Sequence, residues 1–322
     1  KRQAGDYARM APSELGFGGV FEALNRGKRS VAIDYRKPHG RDLLLRLVET
    51  ADVFIESSRP GRLERCGLGA VDVRDANPQI IYCSISGYGQ TGTHRDQPGH
   101  DIDYLALSGV LSLLGPADAP PTPPSLQLAD IATGTFAAAR IMAALVARSS
   151  SGYGVYLDIA AIDGPVSWLG TLGQAVERTP GTPGPMSGAY PCYGTYRAAD
   201  GRSLAVGAME VPFWQAFCTC LGREDLVPSQ FDPGAIPMVA EAIARRPSGE
   251  WLERFTDDAC VALVRTPAEA LDDPDVRRRG FGPPPRDPAP GLGADTEDVL
   301  AEAGIAPTVV QRLTRSGVIT GT

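Results

Sequence analysis

The sequence predicts an α/β protein, with a large domain built on a Rossmann-like parallel sheet and a smaller α+β domain behind it. Three observations predict this. Short apolar segments alternate with helical patterns through the first half, as in βαβ units whose parallel sheet is covered on both faces. Proline clusters at residues 116–124, 180–191 and 283–290 divide the chain, because proline removes a backbone donor and fixes φ. After the second cluster the pattern changes to a hairpin followed by helices. With 322 residues, 43% of them hydrophobic, the chain has ample apolar surface for a sizeable core.

In chain order, residues 30–34 (SVAID) read as a strand, and 40–50 as a helix through Leu43, Leu44, Leu47 and Val48. Residues 52–56 (DVFIE) read as a second strand, 60–66 as a helical turn, and 80–84 (IIYCS) as a third strand. Helices are expected at 103–114 and 130–148, and a strand at 155–160. Farther on, 193–197 and 203–208 flank Ala198-Ala199-Asp200-Gly201 and predict an antiparallel hairpin closed by a glycine turn. Thr266-Pro267-Ala268-Glu269 forms a capping-box pattern with proline at the first helical position. Residues 295–303 return to a helical pattern expected to pack on the first domain, and no internal repeat is visible. The division that results is a large α/β domain over 1–162, a linker over 163–190, a small α+β domain over 191–285, and a C-terminal return over 286–322.

A formal net charge of −7 argues against nucleic acid, whose phosphates require a surplus of basic residues on one face. Of 31 basic residues only Lys1, Lys28 and Lys37 are lysines, so a Schiff-base mechanism has few candidates. The six cysteines (Cys66, Cys83, Cys192, Cys218, Cys220, Cys260) form no CxxC pair, and with His39, His94 and His100 they show no zinc-ligand spacing. Reduced cytoplasmic thiols are expected. The longest apolar run, 136–146, contains Arg140 and is short of the ~18 residues of a membrane span. No secretory leader is visible, and a soluble cytoplasmic protein without membrane partners is expected.

Three segments carry candidate chemistry. In residues 95–109 (RDQPGHDIDYLALSG), His100 follows a Pro-Gly turn and precedes an apolar helix bearing Asp101, Asp103 and Tyr104. A histidine there serves structure or proton transfer. In residues 126–135 (LQLADIATGT), Asp130 stands where an apolar run enters a helix, so it reads as an N-cap or as an ionisable group favoured by the helix dipole. In residues 204–213 (LAVGAMEVPF), Glu210 interrupts an apolar run before a helix, again with capping as the plain alternative. The glycine-rich turn 86–92 (SGYGQTG) lacks a dinucleotide fingerprint. Arg26, Lys28, Arg29, Arg36, Arg59, Arg62 and Arg65 concentrate positive charge in an acidic chain, which fits a polyphosphate ligand or a solvated basic face.

Taken together, residues 25–69 (NRGKRSVAIDYRKPHGRDLLLRLVETADVFIESSRPGRLERCGLG), 77–92 (NPQIIYCSISGYGQTG) and 95–115 (RDQPGHDIDYLALSGVLSLLG) resemble the family III CoA-transferases, the CaiB/BaiF superfamily. The similarity runs from about residue 18 to 207 and more loosely to 295. Within the superfamily the chain resembles the α-methylacyl-CoA racemase branch, because Gly99-His100-Asp101 matches the GHD motif of racemases. The resemblance implies the family III fold and inversion of the α-carbon of 2-methylacyl-CoA thioesters by two-base proton transfer through an enolate-like intermediate. His100 and Asp130 would be the bases, and Glu210 the partner that fixes the imidazole tautomer. Such chemistry needs two groups with different protonation states, and backbone N–H groups near Asp130 are expected to stabilise the oxyanion. No cofactor is implied, CoA being part of the substrate.

For CoA, the resemblance implies Ile33 and Arg36 by the adenine and ribose phosphate. Ser57, Ser58, Arg59, Arg62, Arg65 and Cys66 would continue the cleft, with Gly99, Asp101 and Tyr104 nearer the thioester. Arginine suits this role because its planar fork binds phosphate bidentately. The family's usual ENFRPG reads ESSRPG here, with Ser57 and Ser58 in place of an Asn and an aromatic residue. Family members also carry a further strand and helix ahead of this start, and they form interlocked homodimers in which Glu210 would act in trans with His100. Two alternatives stand beside the racemase. One is a CoA-transferase working through an aspartyl-CoA thioester at Asp130, and the other is a degenerate CoA-binding protein.

Overall fold

The computed structural model describes residues 5–10, 19–115, 119–172, 186–282 and 288–320. Lys1 and parts of all three proline clusters lie outside the described residues. The chain forms two compact units. One comprises Lys1–Leu111, Pro123–Gly170 and Pro284–Thr322, and the other Ser112–Thr122 and Thr171–Pro283.

In the first unit, α1 (Val20–Asn25) and β1 (Ala32–Ile33) precede α2 (Pro38–Val48), β2 (Val53–Glu56), α3 (Ala70–Ala76) and β3 (Ile81–Ser86). Then come α4 (Asp101–Ser108), α5 (Leu128–Ser151), β4 (Tyr156–Ala160) and α6 (Asp163–Trp168). Strands β2, β3 and β4 form the expected parallel sheet in that order. Cys83 and Ile159 on one sheet face pack with Ala137 and Ile141 of α5. Tyr82 and Phe54 on the other face meet Val73 of α3 and Val48 of α2. The strands alternate their side chains, so each apolar set has its own covering helix.

Four expectations are corrected. The 30–34 segment contributes only β1, which stays outside the parallel sheet. It pairs antiparallel with the strand Ile319–Thr320 near the chain end, Ala32 opposite Thr320 and Ile33 opposite Ile319. A local apolar pattern cannot reveal a partner almost the whole chain away. The 103–114 helix starts earlier, at Asp101, and ends at Ser108, where Gly109 adopts φ +84° and a 3₁₀ turn, Val110–Leu113, follows. The 163–190 stretch read as linker opens as helix α6. Helix α5 extends past the 136–146 run at both ends, and among the described residues it is long and apolar enough to cross a membrane by length and composition. The short helix α3 went unread; Asp72 caps it by accepting the Gly69 N–H at 3.0 Å.

The second unit holds β5 (Tyr193–Arg197), β6 (Ser203–Gly207), α7 (Val211–Leu221), α8 (Ile236–Ile243), α9 (Ser248–Arg254), β7 (Val261–Leu263), α10 (Pro267–Asp272) and α11 (Pro274–Arg278). The predicted hairpin forms, Tyr193 opposite Gly207 and Arg197 opposite Ser203, and β7 adds a third antiparallel strand. Leu204 and Val206 point into a core around Trp214, Phe217, Val239 and Trp251. The capping box at α10 is present, with Thr266 N–H donating to Glu269 at 2.8 Å and Glu269 N–H to Thr266 Oγ1 at 3.3 Å.

Helices α12 (Thr296–Glu302) and α13 (Pro307–Arg315) and strand β8 (Ile319–Thr320) return to the first unit. There Leu300, Val310, Leu313 and Ile319 bury against Leu43 of α2.

Candidate active site

The parallel strands end at Glu56, Ser86 and Ala160. The segments leaving those carboxyl ends are where open α/β sheets take their ligands. One carries the arginines of 59–65, and another runs through the glycine-rich turn to His100. Register sets a polar row beneath them, since Glu56 pairs with Ser84 and Ser84 with Asp158. Ser84 Oγ donates to Glu56 Oε1. Gln90 ties the row to the loop above: its Nε2 donates to Ser84 Oγ at 2.8 Å and its N–H to Asp158 Oδ2 at 3.0 Å. The Ser58 N–H donates to Glu56 Oε2 at 2.7 Å, so the row anchors both loops, Glu56 holding one and Ser84 with Asp158 the other. Sequence reading missed this row, although a charged residue inside each apolar segment, DVFIE and YLDIA, was its visible signal.

His100 stands at the N-cap of α4. Its N–H donates to Asp103 Oδ2 at 2.9 Å and its carbonyl accepts the Asp103 N–H at 2.9 Å. Backbone and Asp103 thus cap the helix, and His100 remains exposed. Asp130 lies in the first turn of α5, whose N-cap is Gln127, so Asp130 is not the cap residue. The two helix starts are joined, because Asp101 Oδ1 accepts the Asp130 N–H at 3.0 Å. The N–H of Asp130 is therefore occupied by this bond. The N–H groups of Asp101 and Ile102 open α4 and have no acceptor within the helix.

Although Asp130 is exposed on one side, protein packed around its carboxyl raises the pKa above the ordinary value. The Asp101 charge adds to the rise, and His100 opposes it. Below the pair, Tyr104 donates to the Gly99 carbonyl at 2.8 Å and meets Tyr88 edge-on at 5.2 Å. A Cβ on Gly99 would come within 2.7 Å of the Tyr104 ring and 2.8 Å of the Tyr88 hydroxyl. Only glycine lets the backbone pass so close before His100.

The arginines separate into two groups. Arg36 is held by Asp34, Nε to Oδ1 at 2.7 Å and Nη2 to Oδ2 at 2.9 Å, and Arg29 pairs with Glu302. Among the described residues no carboxylate pairs with Arg59, Arg62 or Arg65, and all three are exposed. Arg65 is joined by Arg95, which sequence reading left out. Their guanidinium nitrogens lie 3.1 and 3.3 Å from where a Cβ of Gly61 would sit. The Gln90 carbonyl holds Arg95 Nε at 2.8 Å. Ile33 in β1 and Cys66 are half-buried, and the hydrogen bond to Asp34 raises the Arg36 pKa. Ser57 is exposed and Ser58 half-buried. Arg95 itself pairs with Asp96 at 3.5 Å, and the unit brings together the arginines of 59–65, the Gly99–Tyr104 turn, His100, Asp101 and Asp130.

Glu210 belongs to the second unit, at the N-cap of α7. Its carbonyl accepts the Trp214 N–H at 3.0 Å while its exposed carboxylate makes no capping bond, so the capping alternative fails for its side chain. Among the described residues no three His, Cys, Asp or Glu side chains converge to hold a metal ion.

The model of CoA-transferase family III matches residues 1–310. The chain belongs to this family. It is 35% identical to mouse (Mus musculus) alpha-methylacyl-CoA racemase over 90% of this chain and 84% of that protein. It is also 32% identical to the succinyl-CoA:mesaconate CoA-transferase of Haloarcula hispanica, over 87% of this chain and 76% of that one. Among solved structures, a CaiB/BaiF family protein from Brucella suis superposes with a TM-score of 0.76 at 26% identity, over 88% of this chain and 83% of its own. A Mycobacterium tuberculosis protein gives 0.72 at 29% identity, over 87% and 84%. The family III fold follows from these, and the family is one of enzymes, both racemases and CoA-transferases.

Proposed function

We propose that this member of the family is a racemase or epimerase of 2-methylacyl-CoA thioesters. The observation that carries the reading is the joining of an exposed histidine and a carboxyl of raised pKa at two helix starts tied by one hydrogen bond. Inversion removes the α-proton from one face and delivers another to the opposite face. It therefore needs one unprotonated and one protonated group at the same pH. In the S-to-R direction His100 takes the proton and Asp130 gives one, and in reverse the roles exchange. The first-turn N–H groups of Asp101 and Ile102 suit the enolate oxygen, since helix N-termini favour negative charge. Arg59, Arg62 and Arg65 suit the phosphates of CoA, with Arg36 and Ile33 toward the nucleotide.

The apolar face of α5 supports a homodimer, in which Glu210 of one copy orients His100 of the other. Met142 and Val146 on that helix are 62% and 72% exposed, and apolar patches of this kind mark interaction surfaces.

The test is incubation with an (R)-2-methylacyl-CoA in D₂O, followed by mass spectrometry and chiral analysis. Deuterium at C2 with loss of optical purity, abolished in His100→Ala, is expected. The similarity to a CoA-transferase favours a second reading, transfer of CoA between carboxylic acids through an aspartyl-CoA thioester at Asp130. CoA transfer to an added acid without deuterium uptake, lost in Asp130→Ala, would establish it instead. Binding of acyl-CoA with neither activity would leave a CoA-binding protein.

A further inference from the structure

The four N–H groups that open a helix have no partner within it and ordinarily turn to water or to a capping side chain of the same segment. At the start of α5 the arrangement differs. The Asp130 N–H is taken by a carboxylate from another helix, 29 residues earlier in the chain, at 3.0 Å. Asp101 is the first residue of α4, immediately after His100. Its backbone is therefore fixed to one candidate proton-transfer group and its side chain to the other. Asp103 holds the His100 end by accepting the His100 N–H at 2.9 Å, and Tyr104 braces the turn before it through the Gly99 carbonyl.

We propose that Asp101 is a positioning residue, tying the start of α5 to the start of α4 so that Asp130 and His100 are held in one arrangement. This deepens the racemase reading and rests on it for its catalytic consequence. Its electrostatic consequence does not depend on turnover. The groups that act on Asp130 come from α4 and its cap: Asp101 raises the carboxyl pKa and His100 lowers it, on top of the rise from burial. Asp103 and Tyr104 stand on the same helix, and Asp130 in turn raises the Tyr104 pKa. Asp101 thus does two separable things. It supplies an acceptor that fixes geometry, and a charge that favours retention of a proton on Asp130.

Two variants separate them. Asp101→Asn keeps an oxygen acceptor for the Asp130 N–H and removes the charge, while Asp101→Ala removes both. A carbon-13 NMR titration of the Asp130 carboxyl, assigned by comparison with Asp130→Asn, reads the charge without any reaction. Its midpoint is expected to fall by about one pH unit in Asp101→Asn, the scale of a like charge removed from close range. In the exchange assay the acid limb of kcat/KM should move down by the same amount. Asp101→Ala should lower kcat roughly tenfold, as expected for a misplaced reacting group, with KM changed less than kcat. A midpoint unmoved in Asp101→Asn overturns the charge effect assigned to Asp101 whether or not the protein turns over, and full kcat in Asp101→Ala overturns its positioning role. Absence of deuterium uptake by the unmodified protein, with the midpoint shifted, would fault the racemase reading and leave the coupling of Asp101 to Asp130 intact.

Discussion

At Arg65 the guanidinium shares the space over Gly61 with Arg95, and no carboxylate neutralises it among the described residues. Two like charges so close repel each other, and an anion between them relieves the repulsion. Arg36 differs because Asp34 already occupies its fork. Replacing Arg65 with Ala should therefore raise the dissociation constant for acyl-CoA about 10- to 100-fold, the range of one lost charge-assisted hydrogen bond or two. The same change at Arg36 should do less, and the Arg65 effect should shrink with added salt. Isothermal titration at two ionic strengths checks both statements. Equal losses at the two positions would contradict the division of the arginines.

At the scale of elements, the loops that bear the site hang from strand ends whose register sets Glu56, Ser84 and Asp158 side by side. The C-terminal segment matters as much. Leu300 is fully buried between α12, α13 and α2, and β8 supplies the only strand partner of β1 among the described residues. Leu300→Ala should destabilise the first unit by about 2–5 kcal/mol, the usual cost of a leucine-sized cavity in a packed core. Denaturant unfolding followed by a probe in that unit measures it. A loss below about 1 kcal/mol would mean that the C-terminal return does not support α2. The sequence announced the helix and its return to the first domain but not α2 as the element it covers, since periodicity identifies a buried face and not the side chains that bury it.

For the molecule as a whole, the proposed second copy would cover α5. A 24-residue apolar helix with Met142 and Val146 turned outward is poorly suited to water. If a second copy covers it, the paired change Met142→Glu and Val146→Glu should turn a dimer into a monomer in sedimentation analysis, because buried unpaired charges oppose association. Deuterium uptake should fall with it, since Glu210 would no longer reach His100 across the interface. A dimer that persists would place the interface elsewhere.

The residues of the candidate site were legible in the sequence. His100, Asp130 and Glu210 were visible as ionisable groups at the edges of apolar runs, and the hairpin, the capping box and the parallel strands follow from local periodicity and turn chemistry. These depend on neighbours within a few residues, which a sequence displays directly. Only the tertiary structure decided that residues 30–34 pair with the chain end, that Arg36 is engaged while Arg65 stands beside Arg95, and that Asp101 binds the Asp130 N–H. Each of these is a contact between segments far apart in sequence. Such contacts are selected by the burial and hydrogen bonding of the folded chain as a whole, and leave no periodic trace in the segments they join.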